Sequence, residues 1–238
     1  NLTIDQQKAI EEINKDLKSD RKMFRLLQGD VGSGKTIVSL IASLNVIYSK
    51  FQVAFMAPTE ILAKQHYNLA KKLFSDSIEI NLLTGKTENK ERKDILKNLL
   101  NGKVDLLIGT HSLFQEKINY KKLGLIIIDE QHKFGVNQRK KLSDKAGKNC
   151  DVLVMSATPI PRTMIMTIYG DMDTSIIKSK PKNRKEIKTY SKNDKNINDV
   201  INFVNKQIQL GNQIFWVCPL IEESKKIDHQ SSIKRYES

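Results

Sequence analysis

Gly29-Asp-Val-Gly-Ser-Gly34-Lys35-Thr36 fits the phosphate-loop pattern G-x-x-x-x-G-K-[ST] at every fixed position. Phe24-Arg-Leu-Leu-Gln28 precedes it and is short and mostly apolar, as a buried strand is. Ile37, Leu40, Ile41, Leu44 and Ile47 follow it at helical spacing. The pattern therefore lies between a strand and a helix, the context it requires. Glycines let the backbone wrap a polyphosphate because they enter positive φ without a steric cost. Backbone N–H groups and the positive end of the following helix then face the anion. Gly29, Asp30, Val31, Gly32, Ser33, Gly34, Lys35 and Thr36 are the expected nucleotide-binding set. Lys35 reaches the outer phosphates, and the Thr36 hydroxyl ligates Mg2+. A glycine-rich turn before a helix is the bland alternative.

Outward from this loop, apolar strand-like runs alternate with amphipathic stretches. Val53–Met56, Ile78–Leu83, Leu106–Ile108, Leu125–Ile128 and Val152–Met155 read as strands. Glu60–Phe74 carries Ile61, Leu62, Leu69 and Leu73 at helical intervals, and Asn89–Leu100 carries Ile95, Leu96, Leu99 and Leu100. The alternation predicts an α/β fold, a parallel sheet flanked by helices on both faces. Ligands then bind beyond the carboxyl ends of the strands.

Lys178–Lys188 is polar and basic and has no periodicity, which marks a linker. Beyond it, Ile197, Val200, Ile201, Val204 and Ile208 predict a helix, and Gln213–Val217 a strand with Phe215 and Trp216 in its core. The expected division is a nucleotide-binding domain over 1–178, a linker over 179–190 and the start of a second domain over 191–238. One helix and one strand make no independent core. The chain opens on Asn1 rather than Met, so a piece of a longer protein is expected.

The chain has 238 residues, 39% hydrophobic and 28% charged, the balance of a globular protein rather than a disordered one. No apolar run approaches the roughly 20 residues of a membrane helix. The two cysteines, Cys150 and Cys218, lie far apart without metal-ligand spacing. That suits a reducing compartment and opposes a disulfide or zinc framework. The formal net charge is +13, an excess that favours DNA or RNA as partner. Lysines on ordinary surface helices produce the same excess, so the placement of the motifs has to decide.

Leu125-Ile-Ile-Ile-Asp129-Glu130-Gln131-His132 is the second informative stretch. An apolar strand delivers two adjacent carboxylates to its carboxyl end. Asp129 is placed to hold Mg2+ and Glu130 to orient the attacking water. Such a pair also starts ordinary turns; its place downstream of the phosphate loop favours catalysis, with Lys35, Asp129 and Glu130 as the catalytic residues.

Asp129-Glu-Gln-His132 resembles the DExH box of superfamily 2 helicases. Ser156-Ala-Thr158 is similar to their third motif, Ala57-Pro-Thr-Glu60 to motif Ia, Gly109-Thr-His111 to a further strand-contacting motif, and Leu2-Thr3 with Gln6 to the upstream element whose glutamine recognises adenine. Asp129–Arg139, Ser156-Ala-Thr-Pro-Ile-Pro-Arg-Thr163 and Tyr169-Gly-Asp-Met-Asp173 narrow the resemblance to the RecG family of branched-DNA helicases and the related Mfd translocases. Gln131 and Trp216–Ser224 point toward RecG. Lys133 stands where that family commonly has arginine, and Ser156 where it often has threonine, both mild departures.

The resemblance implies a RecA-like first motor domain with ATP and Mg2+ as cofactors. It implies branched or duplex DNA as partner, in recombination and repair, and a bacterial, cytoplasmic, nucleoid-associated setting. A wedge domain before Asn1, and the rest of a second motor domain after Ser238, are expected with it. It also implies adenine recognition by Gln6, DNA contact by Pro58, Thr59, Gly85, Thr110, His111 and Arg162, and coupling of the two sites by Gln131, His132, Ser156, Ala157 and Thr158. Alone, Gln6 reads as an exposed helix residue, Pro58 and Thr59 as a turn and cap, Gly85 as a turn glycine, Arg162 as an exposed charge and His132 as an interior histidine. An Mfd-like translocase, a nucleic-acid-binding module with a vestigial nucleotide site, and a metabolic phosphate-loop kinase are the rival readings.

Overall fold

The computed structural model describes residues 2–114, 118–129, 150–158, 172–179 and 187–217. Contact clustering divides the chain into two compact units, Asn1–Arg184 and Lys185–Ser238. In the first unit the elements run α1 (Ile4–Leu17), β1 (Phe24–Gly29), α2 (Lys35–Tyr48), β2 (Gln52–Met56), α3 (Glu60–Leu73), β3 (Ile80–Leu83), α4 (Asn89–Leu100), β4 (Leu106–Gly109), β5 (Leu123–Asp129), β6 (Asp151–Ser156) and β7 (Asp173–Ile177). Among the described residues the strands form one seven-stranded sheet, ordered β3-β4-β2-β5-β6-β1-β7. Every neighbouring pair is parallel.

Side chains alternate between the two faces, as the period of two requires. Leu27, Val53, Phe55, Leu125, Ile127 and Leu153 face a core with α1, α2 and α3. Leu26, Ala54, Met56, Ile126, Ile128 and Val154 face a second core with Ile95 and Leu99 of α4. Burial on both faces explains why the central strands are continuously apolar. Gly109 is dictated by close approach: a Cβ there would lie 2.2 Å from the Leu83 carbonyl oxygen.

The helices form where periodicity places them, but in two of them the apolar spacing marks the buried face only in part. Of the α2 residues at helical spacing, Leu40 and Ile47 are buried and Leu44 packs against the core, but Val38, Ser39, Ala42, Ser43 and Val46 are buried as well, while Ile37 and Ile41 are half-buried. In α3 the buried residues are Ala63, His66 and Ala70, while Ile61 is 73% exposed and Leu73 51%. Small side chains let a helix lie close to the sheet, and that proximity decides the buried face more than hydrophobicity does.

β7 is not anticipated from its sequence. Asp173-Thr-Ser-Ile-Ile177 is polar at its start, yet it pairs with β1 and ends the sheet on that side. Arg25 of β1, buried, binds it in place. Its guanidinium pairs with Asp16 at 2.7 Å and Glu12 at 3.6 Å on α1, reaches Asp173 at 4.0 Å and donates to Ser175 Oγ at 2.9 Å. A buried charge is tolerated when it is paired this fully.

The first turn of α1 also holds the segment after β7. Asp5 Oδ2 accepts from the backbone N–H groups of Lys178 at 2.9 Å and Ser179 at 2.7 Å, and Ser179 Oγ donates to Thr3 Oγ1 at 2.9 Å. The Ser179 N–H, then its hydroxyl, hold the Asp5 carboxyl below its usual range. The folded value is lowered, so the clasp is complete at neutral pH and is lost as pH falls through that lowered value. Asp5→Ala should speed hydrogen exchange of the Lys178 and Ser179 amides several-fold, read by mass spectrometry. Unchanged protection would show that other contacts hold the segment.

Cys150 is buried, and burial pushes its thiol up to about 12. It is protonated and inert near neutral pH. Cys218 lies outside the described residues. No helix among the described residues is long and apolar enough to cross a membrane.

In the second unit, α5 (Ile197–Gln209) forms where expected, and none of its residues is buried. The strand expected over 213–217 is not formed; these residues lie in no helix or strand. Phe215 is 88% exposed and Trp216 44%, so neither sits in a core. An extended segment becomes a strand only through a ladder with a partner strand, and none is present among the described residues.

Candidate nucleotide site

Parallel strands of matched length bring their carboxyl ends to one rim. Across the sheet, Leu83 aligns with Gly109, Gly109 with Met56 and Met56 with Ile128. Asp129 then aligns with Met155, Ser156 with Gln28 and Gly29 with Ile177. The sequence candidates divide along this rim. Pro58 and Thr59, Gly85, and Thr110 follow β2, β3 and β4. Asp129, Ser156 and the phosphate loop close β5, β6 and β1.

The loop after β1 folds as its glycines dictate. Gly32 and Gly34 take φ of 75° and 92°. A Cβ on Gly34 would lie 2.3 Å from Gln6 Nε2, and one on Gly29 would lie 2.6 Å from Ser33 Oγ and 2.9 Å from the Ile177 carbonyl oxygen. Only glycine fits either position. Thr3 and Thr59 cap α1 and α3 with side-chain oxygens, but α2 has no side-chain cap and no acidic residue in its first turn. The positive dipole end of α2 therefore suits an external anion.

Lys35 is buried at this end, its Nζ donating to the Gly29 carbonyl at 2.6 Å and the Asp30 carbonyl at 3.1 Å. Ser33 Oγ is buried with no hydrogen-bond partner among the described residues. Val31 is exposed at the loop. Thr36 is half-buried in the first turn of α2, and its carbonyl accepts from Ser39 Oγ at 2.9 Å.

Gln6 is 5% exposed and so is not the exposed helix residue that its bare sequence suggests. Its Oε1 accepts from Thr3 N–H at 2.9 Å in a capping box, and its Nε2 donates to the Ser33 carbonyl at 2.7 Å. The side chain thus ties α1 to the loop. A primary amide has two donors and two lone pairs, so half its capacity remains for an adenine edge.

Asp129 ends β5 and is nearly buried. Its Oδ2 accepts from His66 Nε2 at 2.9 Å. The His66 ring stacks on Phe55, with centroids 4.7 Å apart and planes inclined by 27°. Sequence reading does not single out His66. The signal lay in the spacing Ala63-x-x-His66-x-x-x-Ala70, which puts an imidazole in a buried stripe where it requires a polar partner.

Ser156, Ala157 and Thr158 form a tight turn at the end of β6. Thr158 N–H donates to Ser156 Oγ at 3.2 Å, and the two hydroxyls lie 3.0 Å apart. Gln28 at the end of β1 reaches the Thr158 carbonyl at 3.5 Å, so this turn abuts the strand that feeds the loop. Glu130, Gln131, His132 and Arg162 lie outside the described residues.

On the other half of the rim, Thr59 Oγ1 caps α3 by accepting from Leu62 N–H at 3.3 Å, and Pro58 is half-buried beside it. Gly85 is exposed, next to a Lys86–Glu60 ion pair at 3.6 Å. Thr110 is buried, its hydroxyl 3.4 Å from that of Ser112, and His111 begins a short 3-10 turn. Thr110 thus supports the rim from beneath rather than presenting its side chain at the surface.

Among the described residues no three His, Cys, Asp or Glu side chains converge to hold a metal ion by themselves. That donor set suits Mg2+ brought in with phosphate oxygens and water, which needs only one or two protein oxygens. Asp129 and Thr36 supply that kind of oxygen. The uncapped α2, the buried Lys35 ammonium and the glycine-lined loop fit a nucleoside triphosphate.

A family model described as DEAD/DEAH box helicase matches residues 3–167. The chain is 49% identical over 237 residues to the ATP-dependent DNA helicase RecG of Thermotoga maritima, covering 99% of this chain and 30% of that protein. It is 48% identical over 236 residues to the protein of the same name from Bacillus subtilis, covering 99% of this chain and 34% of that one. A solved structure of RecG bound to a three-way DNA junction superposes with a TM-score of 0.82 at 42% identity, covering 100% of this chain and 31% of that chain. The DEAD-box helicase Mss116 bound to ssRNA and UDP-BeF shares the fold, with a TM-score of 0.61 at 21% identity over 88% of this chain and 48% of that chain. The chain spans about a third of the length of the curated relatives it matches.

Proposed function

Because the chain belongs to the DEAD/DEAH box helicase family, we propose that it supplies the first motor domain of a RecG-type ATP-dependent DNA helicase that remodels branched DNA. In this reading residues 1–178 are the motor domain, 179–190 the linker and 191–238 the start of the second motor domain. The observation that carries it is the gathering of the uncapped α2 with Lys35, Asp129 and the Ser156–Thr158 turn on one rim. The identity to RecG proteins along nearly the whole chain supports the same reading.

The chain's own residues divide the work. Lys35 and the loop amides bind the β- and γ-phosphates of ATP and neutralise the charge that builds on them. Gln6 holds the adenine edge while bracing the loop through Ser33. Thr36 and Asp129 hold Mg2+, which when bound neutralises charge on the phosphate oxygens. Glu130 orients the attacking water and accepts its proton. The Ser156–Thr158 turn, with Gln131 and His132, relays nucleotide state to the DNA-facing loops. Pro58, Thr59, Gly85, Thr110, His111 and Arg162 make up the DNA side, where the N-terminus of α3 offers amides to a phosphate. Strand separation and the arginine that reaches ATP across the cleft fall, in this reading, to parts of the longer relatives outside the span matched here.

Phosphate contact through a chain of net charge +13 should make binding steeply salt-dependent. With about six phosphate contacts, affinity for a three-way junction falls roughly 10³-fold between about 50 and about 200 mM salt. Fluorescence anisotropy of a labelled junction checks it. A flat salt response, or no junction binding at low salt, would overturn the DNA side of the reading.

A further inference from the structure

We propose that His66 is a positioning residue through which the DNA-facing helix α3 sets the Mg2+-holding carboxylate of Asp129. The inference rests on the motor-domain reading above and adds to it the path by which one half of the rim reaches the other.

The sheet order makes such a path necessary. The DNA candidates close β3, β4 and β2, and the nucleotide candidates close β5, β6 and β1. The boundary runs between β2 and β5, where Met56 aligns with Ile128 and Asp129 follows. α3 begins directly after Pro58 and Thr59, with Thr59 capping it. His66 lies six residues into α3 from Glu60, about 9 Å along the axis at helical rise. From there it crosses the boundary and touches Asp129.

The contact is built to transmit position. A carboxylate only accepts hydrogen bonds, so Nε2 carries the proton and donates. The imidazole is buried, gripped from one side by Phe55 of β2 and from the other by Asp129. Two constraints on one ring leave it little rotational freedom, so its nitrogen moves with α3. One oxygen of Asp129 is thereby fixed by α3, and the other would be left for Mg2+. When the Pro58–Thr59 end of α3 takes a DNA phosphate, a shift of the helix re-aims the carboxylate. Any such coupling is reciprocal: Mg2+·ATP binding changes the DNA affinity of α3 by the same factor.

A core histidine that merely satisfies its hydrogen bond would show none of this. Two variants of the whole protein separate the possibilities. His66→Phe keeps the stack on Phe55 and removes the donor; His66→Gln keeps a donor of similar reach. The first readout is equilibrium binding of a fluorescent ATP analogue at graded Mg2+, with no turnover involved. Partners of metal ligands typically contribute about 10–100-fold to metal affinity. His66→Phe should therefore need about 10–100-fold more Mg2+ for half-maximal tightening, with Mg2+-free analogue binding unchanged. His66→Gln should stay within a few-fold of the parent. The second readout is the ratio of ATPase rates with and without three-way junction DNA, which should fall in His66→Phe and recover in His66→Gln.

An unchanged Mg2+ requirement and DNA ratio in His66→Phe would overturn the proposal. So would loss of Mg2+-free nucleotide binding in both variants, which marks a structural role. A parent protein with no junction-stimulated hydrolysis would sink the motor-domain reading itself, and that result is visible before any variant is made.

Discussion

Lys35→Ala removes ATP turnover while leaving the fold in place. The ammonium group sits at the uncapped end of α2, 2.6 Å from the Gly29 carbonyl and 3.1 Å from that of Asp30. It is the side-chain cation of the loop, and in the proposed mechanism it meets the charge that develops as the outer phosphate departs. In such a preorganised site one lost donor costs about 10²–10³-fold in kcat. The effect here should reach at least that, because a full charge is lost rather than a neutral hydrogen bond. The hydrophobic cores on both sheet faces do not depend on the ammonium, so the thermal melt should move little. DNA-stimulated hydrolysis in a coupled assay on the whole protein is the measurement. Undiminished turnover would remove the phosphate-loop assignment and the mechanism built on it.

Glu130→Gln should give the opposite signature, with ATP bound and not cleaved. Glu130 adjoins Asp129, which ends β5 at the rim and accepts a hydrogen bond from His66. Asp129 holds the metal in this reading, and Glu130 takes the proton of the attacking water. An amide preserves the size of the side chain and cannot act as that base. Loss of a general base lowers a rate by about 10²–10⁴-fold. Titration with a fluorescent ATP analogue should therefore give nearly parental affinity, while single-turnover hydrolysis falls by that factor. Loss of nucleotide binding would show that the two carboxylates do not divide the work this way. The pair of variants is more informative than either alone, because Lys35→Ala strikes binding and chemistry together and Glu130→Gln strikes chemistry only.

The parts of the fold legible in the sequence are those set by local rules. The central strands are apolar because both faces are covered, and their runs announce themselves. The phosphate loop is legible because only glycine adopts its φ values of 75° and 92°. Thr3 with Gln6, and Thr59, mark helix starts by capping chemistry. β7 escapes because its first residues are polar, and its pairing with β1 is secured where its Ser175 meets Arg25 and Glu12, which are remote in sequence. The strand expected over 213–217 is absent for the complementary reason. Its composition favours extension, but a ladder needs a partner that composition does not supply.

The same division governs the site. Lys35 and Thr36 stand out as candidates by their spacing in the loop, and Asp129 by its place at a strand end downstream of it, because phosphate and metal chemistry call for such groups there. The side chains that hold them do not. Of the apolar residues at helical spacing in α3, Leu62 and Leu69 pack against the core while Ile61 and Leu73 are exposed, and close packing against the sheet buries Ala63, His66 and Ala70. From that packing comes the contact between His66 and Asp129 across 63 residues of chain.

By itself, then, the order of residues determined the architecture, the phosphate loop and the candidate groups at the end of the sheet. Each follows from backbone sterics, strand and helix periods, or the valence of a side chain, all of which act over a few neighbouring residues. Only the tertiary structure decided which helix faces turn inward, which strand closes the sheet beyond β1, and which side chain bonds to Asp129. Those outcomes depend on shape complementarity and pairing between segments distant in the chain, and no local pattern encodes such a meeting.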